Sequence, residues 1–213
     1  MMGDFAKETI LAHIRMALAD APEPAAASRA YRQHDERDSV DIVAELADRL
    51  RDYKAHVDHI EAEALPGAIA AACVMYGIRR LVIPADAPAG WIPPNLEILR
   101  DDPPLTNDQL DKSDGVLTGC AFVIAQTGTI ALNGGACQGR RALSLVPDRH
   151  LCVVYAEQVV GIVPEGIARL LFKQTRPITF ISGPSATSDI ELSRVEGVHG
   201  PRTLHVFLVG TTH

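Results

Sequence analysis

The spacing of apolar residues in the first quarter of the chain predicts two helices with a linker between them. Apolar side chains recur near helical spacing in residues 1–19 and again, every four residues, between Val40 and Tyr53. Ser39 or Asp41 would cap the second of these helices. Residues 20–38 combine proline, alanine and alternating charges, so they offer little to bury, and this composition indicates a linker or mobile arm.

A strand, a helix and a second strand are predicted next. The run 55–62 begins with the apolar and polar alternation of a half-buried strand. Residues 65–78 are mostly apolar and are typical of a helix that ends at Gly77, and residues 79–86 contain a short buried strand. Because the connections between these segments are short, their order predicts two strands paired in parallel through a crossover helix.

The residue pattern of the second half of the chain is typical of a protein rich in β-strands. From Gly115 onward, short β-rich runs are separated by glycines, which predicts several strands and hairpins. Short helices are predicted at Asn107–Lys112, Ile167–Lys173 and Ala186–Arg194, and residues 202–210 predict a final strand. Together these segments predict an α/β fold, with a Rossmann-like, mostly parallel sheet, helices on its faces and a hairpin-rich insert.

Length and composition are those of an ordinary folded protein. The 213 residues, of which 47% are hydrophobic and 22% charged, suit one domain with an additional segment. We therefore predict an N-terminal helix and flexible linker over residues 1–38 and an α/β domain over residues 39–213. No apolar run approaches the roughly 20 residues of a membrane span, and the N-terminus lacks the features of a secretory signal. These observations predict a cytoplasmic protein.

Neither the charges nor the cysteines point to nucleic-acid or metal binding. The net charge is −7 and the basic residues are dispersed, whereas nucleic-acid binding usually leaves a basic face. Iron–sulfur and structural zinc sites usually contain closely spaced thiolates, but this chain has no CxxC pair and no HExxH motif. His56 and His59 would lie on opposite faces of a strand. We therefore expect no metal in this chain and reduced, mostly buried thiols at Cys73, Cys120, Cys137 and Cys152.

Three segments in the second half could hold an anion. The first contains Thr127, Gly128 and Thr129 after an apolar run, where a sharp bend would expose backbone N–H groups and two hydroxyls. Such a turn can hold a carboxylate or a phosphate. The alternative is a β-hairpin turn in which glycine supplies a positive φ, and the local sequence favours this alternative.

The second segment is the glycine-rich loop 134–141. Its adjacent arginines Arg140 and Arg141 could clamp an anionic group through paired hydrogen bonds. The loop matches neither the phosphate-loop pattern nor the dinucleotide fingerprint. A flexible, solvated loop that carries surface charge is an equally good interpretation.

The third segment follows a predicted strand and leads through glycine and small polar residues into the helix predicted from Ala186. This order would place free backbone N–H groups at a helix N-terminus, aimed at the carboxyl edge of the sheet. The ligand-binding candidates here are Gly183, Ser185, Thr187 and Asp189. Simple capping of the helix by Ser185 or Thr187 is the alternative, but the row of small polar residues favours a site.

In combination, these segments resemble lactate utilization protein C, the stand-alone form of the lactate-utilization (LUD) domain. The resemblance covers roughly residues 40–210 and rests on Gln-Thr-Gly-Thr at 126–129, on Gly-Pro-Ser-x-Thr-x-Asp-Ile-Glu at 183–191 and on Gly-Val-His-Gly-Pro-Arg at 197–202. It implies a fold similar to the sugar-phosphate isomerase and coenzyme A transferase group. It also implies work beside two iron–sulfur proteins in oxidising L-lactate to pyruvate, with the clusters in those partners.

Gln126 departs from the pattern of the related enzymes. Coenzyme A transferases of this fold group use a glutamate nucleophile, and many related domains have glutamate before Thr-Gly-Thr, where this chain has Gln126. An amide cannot act as a general base or form an acyl-enzyme, so covalent transferase chemistry is not expected there. His199 is the one candidate for proton transfer, although a plain turn residue is the favoured interpretation.

The leading hypothesis is a subunit of an iron–sulfur lactate-oxidising complex that has no cluster of its own and whose status as an enzyme is uncertain. It would bind a carboxylate substrate, a phosphate-bearing cofactor or a nucleotide. Two alternatives stay open: a ligand-binding regulatory or assembly protein, and a stand-alone isomerase or transferase of the related fold. Each is compatible with a homo-oligomer. The predicted pocket comprises Thr127, Gly128, Thr129, Arg140, Gly183, Ser185, Thr187 and Asp189.

Overall fold

The computed structural model describes residues 2–19, 28, 30–170, 176–188, 194–196 and 200–210. The chain divides into two compact units, Met1–Tyr31 and Arg32–His213. Two predicted site residues, Asp189 and His199, lie outside the described residues. The division into a segment 1–38 and a domain 39–213 stays a prediction.

The helices and strands of the described residues follow the predicted order, except for an unpredicted strand at Glu97–Arg100 and for strands at both ends of the helix predicted at Ala186–Arg194. The helices are α1 (Met2–Leu18), α2 (Ser39–Asp52), α3 (Leu65–Met75), α4 (Asn107–Asp111) and α5 (Val163–Arg169). The strands are β1 (His56–Ile60), β2 (Arg80–Ile83), β3 (Glu97–Arg100), β4 (Gly115–Thr118), β5 (Phe122–Ile124), β6 (Thr129–Leu132), β7 (Arg149–Tyr155), β8 (Val159–Val160), β9 (Thr179–Ile181), β10 (Ala186–Ser188), β11 (Arg194–Glu196) and β12 (Thr203–Val209).

Among its described residues, the first unit contains α1, which confirms the helix predicted in residues 1–19. Among the residues described, no helix is both long enough and apolar enough to cross a membrane.

Six parallel strands form the main sheet, in the order β1-β12-β7-β4-β2-β3. The predicted α/β class and parallel sheet are therefore confirmed. In β7, every residue from His150 to Val154 is buried, because both faces of the sheet are covered, and this explains the continuous apolar run in the sequence. The predicted pairing of β1 with β2 is wrong. They are parallel, but β12, β7 and β4 from the second half of the chain lie between them.

A second, smaller sheet accounts for the hairpin-rich insert. Its order is β8-β5-β6-β9, with antiparallel pairing of β5 with β6 and of β6 with β9. Separately, β10 pairs antiparallel with β11, so that Ala186 lies opposite Glu196. The helix predicted at Ala186–Arg194 is therefore wrong at both ends, because a ladder between the two ends satisfies their backbone groups instead. Residues 189–193 lie outside the described residues.

Helices cover both faces of the main sheet. On one face, α2 buries Leu46 and Leu50 in a cluster that includes residues of β7, β12 and the second sheet. On the other face, α3 buries Ile69 against β2, β7 and β12. The cap of α2 is Asp38, whose carboxylate accepts a hydrogen bond of 2.8 Å from the backbone N–H of Asp41, so the predicted cap was placed too late in the chain. Likewise, α5 begins four residues before the helix predicted at Ile167–Lys173.

The segment that precedes α2 is bonded to the start of α5. The backbone N–H of Asp35 donates to the carboxylate of Glu165 at 3.0 Å. Arg37 donates to the carboxylate of Asp35 at 2.7 Å, and this hydrogen bond lowers the pKa of Asp35 to about 2. A Cβ atom at Gly161 would lie 2.3 Å from Oδ2 of Asp35, so this packing requires glycine there. The last residues before α2 are thus part of the second unit.

Candidate functional site

The segment of Thr127, Gly128 and Thr129 forms a hairpin turn. Ile124 of β5 lies opposite Thr129 of β6, and one turn of 3-10 helix connects the two strands. Gly128 has a φ of 58°. A Cβ atom at this glycine would lie 3.0 Å from Cβ of Arg49 on α2. Glycine is therefore required by the backbone conformation and by the close approach of the helix.

Hydroxyl groups connect this turn to the third predicted segment. Oγ1 of Thr127 lies 2.7 Å from Oγ1 of Thr129, which in turn lies 2.8 Å from Oγ of Ser182. Ser182 follows β9, which pairs with β6 in the second sheet. The first and third segments are therefore neighbours, although 53 residues separate Thr129 from Ser182 along the chain.

A cavity of about 240 Å³ lies beside Ser182, at the amino edge of the main sheet. We call it the hydroxyl cavity, and its polar lining consists of Ser144, His150, Thr179, Ser182, Gly183 and Ser185. The predicted position at the carboxyl edge is wrong, because β9 belongs to the second sheet and delivers these residues to the amino ends of β7 and β12. Leu204, the second residue of β12, also lines the cavity.

His150 is the titratable residue of the hydroxyl cavity, and the sequence did not single it out. Its side chain is buried, and its Nε2 lies 2.7 Å from the hydroxyl oxygen of Thr118 on β4. Its Nδ1 has no hydrogen-bond partner among the described residues. Burial lowers the pKa of His150 to about 4, so the ring is neutral at pH 7. His150 is thus a neutral residue that lines the cavity and has one buried, unpaired nitrogen.

A second cavity, of about 470 Å³, adjoins the first. We call it the arginine cavity, because Arg140, Arg141 and Arg176 line it, and no acidic residue does within the described part of the chain. Ser144 and Thr179 line this cavity and also the hydroxyl cavity. The two spaces therefore share a wall, one side of which is basic and the other rich in hydroxyl groups.

Arg140 is paired with a carboxylate of the protein, whereas Arg141 has no such partner among the described residues. Its guanidinium donates two hydrogen bonds to the carboxylate of Asp101, at 2.9 and 3.1 Å, and a third to the carbonyl of Leu105. The side chain of Asp101 is only 7% exposed. In contrast, neither Arg141 nor Arg176 pairs with a carboxylate among the described residues, and Arg176 donates to the carbonyl of Gly134 at 2.8 Å. The two exposed arginines are the ones available to an anion.

The glycine-rich loop that carries Arg140 is ordered by hydrogen bonds and is not a freely solvated segment. Gln138 is buried, and its side-chain oxygen accepts from the backbone N–H of Asn133 at 2.7 Å. The carboxylate of Asp86 accepts from the N–H of Cys137 at 2.8 Å. These bonds, with that from the N–H of Gly119 to the carbonyl of Cys137, fix the loop beside the carboxyl ends of β2 and β4.

The structure brings some of the predicted site residues together and not others. Gly183 and Ser185 line the hydroxyl cavity, and Arg140 lines the arginine cavity. The turn of Thr127, Gly128 and Thr129 touches the hydroxyl cavity only through Ser182. Thr187 lies in β10. The side-chain oxygen of Gln126 accepts from the N–H of Val163, at 3.4 Å, and the residue lines neither cavity.

A separate histidine cluster lies on the opposite face of the main sheet. His205 of β12 is buried, with Nδ1 3.1 Å from the hydroxyl of Tyr76 and Nε2 3.0 Å from the carboxylate of Asp58. The ring of His56 stacks on His205 at 5.8 Å between centroids. Burial lowers the pKa of His205. Since both ring nitrogens have partners, this cluster ties the end of α3 to β12 and β1.

The cysteines are free thiols, and three of them are buried: Cys73, Cys120 and Cys152. Cys120 and Cys152 are in contact, and this contact together with burial raises the pKa of the Cys120 thiol. Among the residues described, no group of three or more histidine, cysteine, aspartate or glutamate side chains is arranged to hold a metal ion.

Known proteins match this chain over most of its length. The LUD domain model matches residues 97–209. Lactate utilization protein C from Deinococcus radiodurans is 50% identical over 196 residues, which are 91% of this chain and 87% of that protein. Lactate utilization protein C from Geobacillus kaustophilus is 29% identical over 169 residues, 68% of this chain and 70% of that protein.

A solved structure agrees with the fold. The crystal structure of a DUF162 family protein from Deinococcus radiodurans matches with a TM-score of 0.72 and 45% identity, and the match covers 82% of this chain and 99% of the other. The match of the domain model over 97–209 and the 50% identical relative lead to one conclusion: this chain belongs to the LUD domain family.

Proposed function

We propose that this chain binds a short carboxylate and acts in lactate utilization, as a subunit of a complex that oxidises L-lactate to pyruvate. In this proposal two iron–sulfur proteins are the partners and carry the clusters, and this chain contributes a ligand site. The names of the relatives from Deinococcus radiodurans and Geobacillus kaustophilus support the assignment to lactate utilization.

The shared wall of the two cavities is the observation that carries the proposal. Lactate and pyruvate each have an anionic carboxylate next to a carbon that bears a second oxygen. The arginine cavity offers positive charge, and the hydroxyl cavity offers neutral polar groups across Ser144 and Thr179. Guanidinium groups bind carboxylates through paired, charge-assisted hydrogen bonds, so the carboxylate would face the arginines and the second oxygen the hydroxyl cavity.

Arg141 and Arg176 are expected to bind the carboxylate. Replacing both with glutamine should weaken binding of pyruvate by about a hundredfold or more, because each charge-assisted hydrogen bond contributes roughly 1.5–3 kcal/mol and each 1.4 kcal/mol is about tenfold. Isothermal titration of the full chain with pyruvate and with L-lactate would measure the change. Arg79→Gln is a matched control, since Arg79 is also exposed but lines neither cavity.

The control also defines the outcome that contradicts this assignment. If Arg79→Gln weakens binding as much as the double variant does, the effect comes from the net charge of the protein. If the double variant binds pyruvate as tightly as the unaltered chain, the arginine cavity is not the carboxylate site.

At the level of the complex, lactate-dependent dye reduction should require this chain. We expect a strain that lacks the gene to lose the activity in cell extract and to recover it when the purified chain is added. The chain with Arg141→Gln and Arg176→Gln should co-purify with the iron–sulfur partners yet restore little activity, because only ligand binding is impaired. Equal dye reduction with and without the chain would refute the subunit assignment.

An assembly role is the second candidate, and Gln126 is one reason to retain it. The side chain of Gln126 is hydrogen-bonded to the start of α5 and lines neither cavity, so the turn of the related transferases supplies no reactive group here. If the double arginine variant restores full activity, the chain would serve assembly and not ligand binding.

A further inference from the structure

We infer that His150 recognises the second oxygen of the bound acid by donating its Nδ1–H to that oxygen from the wall of the hydroxyl cavity. This inference rests on the proposed carboxylate site, because His150 would bind a second group of the same ligand. It would make the site select, among short carboxylates, those with an acceptor oxygen on the carbon beside the carboxylate.

The histidine ring is held in a fixed orientation. Nε2 lies 2.7 Å from the hydroxyl oxygen of Thr118, which is fully buried in β4. The other polar edge of the ring carries Nδ1, which has no partner among the described residues. Most buried polar side-chain atoms in proteins have a partner, and leaving one unpaired costs roughly 1–3 kcal/mol. Nδ1 itself exposes less than 1 Å² of surface, but His150 lines the hydroxyl cavity, so a slight displacement of the neighbouring side chains on binding would let a ligand oxygen become the missing partner.

The surroundings of Thr118 decide which nitrogen carries the proton. Among the described residues, the hydroxyl of Thr118 has no hydrogen-bond partner other than His150. Its O–H proton is therefore satisfied only if the hydroxyl donates to Nε2. Nε2 is then the acceptor, and in the neutral ring the proton resides on Nδ1. Because burial keeps the ring neutral, His150 presents a donor and no charge to the cavity.

A neutral donor at this position favours a particular ligand chemistry. A ketone oxygen accepts hydrogen bonds and donates none, so it matches Nδ1–H directly. The hydroxyl of a 2-hydroxy acid also accepts from Nδ1–H, and the hydroxyl groups of Ser144 or Ser182 in the same lining can accept its own proton. A simple acid such as propionate has the carboxylate but lacks the second oxygen, so it gains nothing from His150.

The test compares three acids of similar size by isothermal titration of the full chain: pyruvate, L-lactate and propionate. We expect pyruvate and lactate to bind about tenfold more tightly than propionate, as one good hydrogen bond to a buried donor would give. In His150→Phe, pyruvate should bind no better than propionate, lactate should keep only the contribution of its hydrogen bond to a serine hydroxyl, and the affinity for propionate should not change. The double arginine variant should instead weaken all three acids by a similar factor.

Two further variants keep the test decisive. His150→Phe leaves the buried hydroxyl of Thr118 without a partner, so Thr118→Val combined with His150→Phe repeats the measurement if the single variant does not fold. His56→Phe is the control, because His56 lies outside both cavities. If the unaltered chain binds none of the acids, the proposed function itself fails. If it binds them and His150→Phe keeps the preference for pyruvate over propionate, the role of His150 is refuted and the carboxylate site stands.

Discussion

Replacing Arg140 with methionine is expected to lower the free energy of unfolding by about 2 kcal/mol, because it leaves the buried carboxylate of Asp101 without the partly exposed guanidinium that pairs with it. The carboxylate of Asp101 is 7% exposed and accepts two hydrogen bonds from Arg140, at 2.9 and 3.1 Å. The carbonyl of Leu105 would lose its donor as well. Methionine keeps most of the aliphatic part of the side chain, so the loss of stability should come from the missing charge and hydrogen bonds. Urea unfolding at pH 7, followed by circular dichroism, would measure it.

Arg141→Met provides the comparison for this experiment. Arg141 is the next residue, lines the same cavity and is exposed, but it has no carboxylate partner among the described residues. Its replacement should change the stability by no more than about 0.5 kcal/mol, as is usual for exposed positions. If instead Arg140→Met leaves stability unchanged and abolishes anion binding, then Arg140 serves the ligand and the ion pair with Asp101 contributes little.

This pair of arginines shows what the sequence could and could not predict about the site. The adjacent arginines suggested an anion site or, equally, a solvated loop, and the structure places both side chains in the lining of one cavity. Which of the two is available to a ligand depends on Asp101, which lies 39 residues earlier in the chain, at the end of β3. No local pattern connects the two positions, and the residues of β3 carry no alternation that would predict a strand.

The surroundings of His150 and of the third segment also depend on contacts between residues far apart in the sequence. In the sequence, His150 stands in one of the β-rich runs after Gly115, and the structure has a strand there, β7. Its partner Thr118 and the cavity beside it are set by the pairing of β4 with β7 and by β9 in another sheet. The small polar residues at 186–188 were compatible with a capped helix. In the structure they form a strand, because they pair with residues 194–196.

Long, strongly patterned segments were predicted well for a physical reason. The apolar spacing of α2 reflects burial on one face, and the continuous apolar runs of β7 and β12 reflect burial on two, so the residue types themselves indicate these elements. The order of the strands in the sheet has no such local pattern. β1 and β2 follow each other with one helix between them, yet three strands from later in the chain separate them in the sheet.

The stability of the protein should fall as the pH falls from about 6.5 towards 4, and His150 is expected to be a principal cause. Burial lowers the pKa of His150 from 6.5 in an exposed histidine to about 4 in the fold. Between these values the unfolded chain binds a proton that the folded chain does not, so lowering the pH favours unfolding. A difference of this size corresponds to a loss of about 3 kcal/mol once the pH reaches 4. Urea unfolding at intervals between pH 7 and pH 4 would measure this loss.

The variant with Thr118→Val and His150→Phe separates His150 from the other titrating groups. His205 is also buried, with a pKa lowered by burial, and the carboxylate of Asp35, paired with Arg37, loses its charge only near pH 2. Both remain in the variant, so the difference between the two stability curves reports His150. We expect the curve of the variant to be flatter by most of the 3 kcal/mol. Parallel curves would show that His150 is protonated in the fold near its ordinary pKa, and it could not then be the neutral donor that the hydroxyl cavity requires.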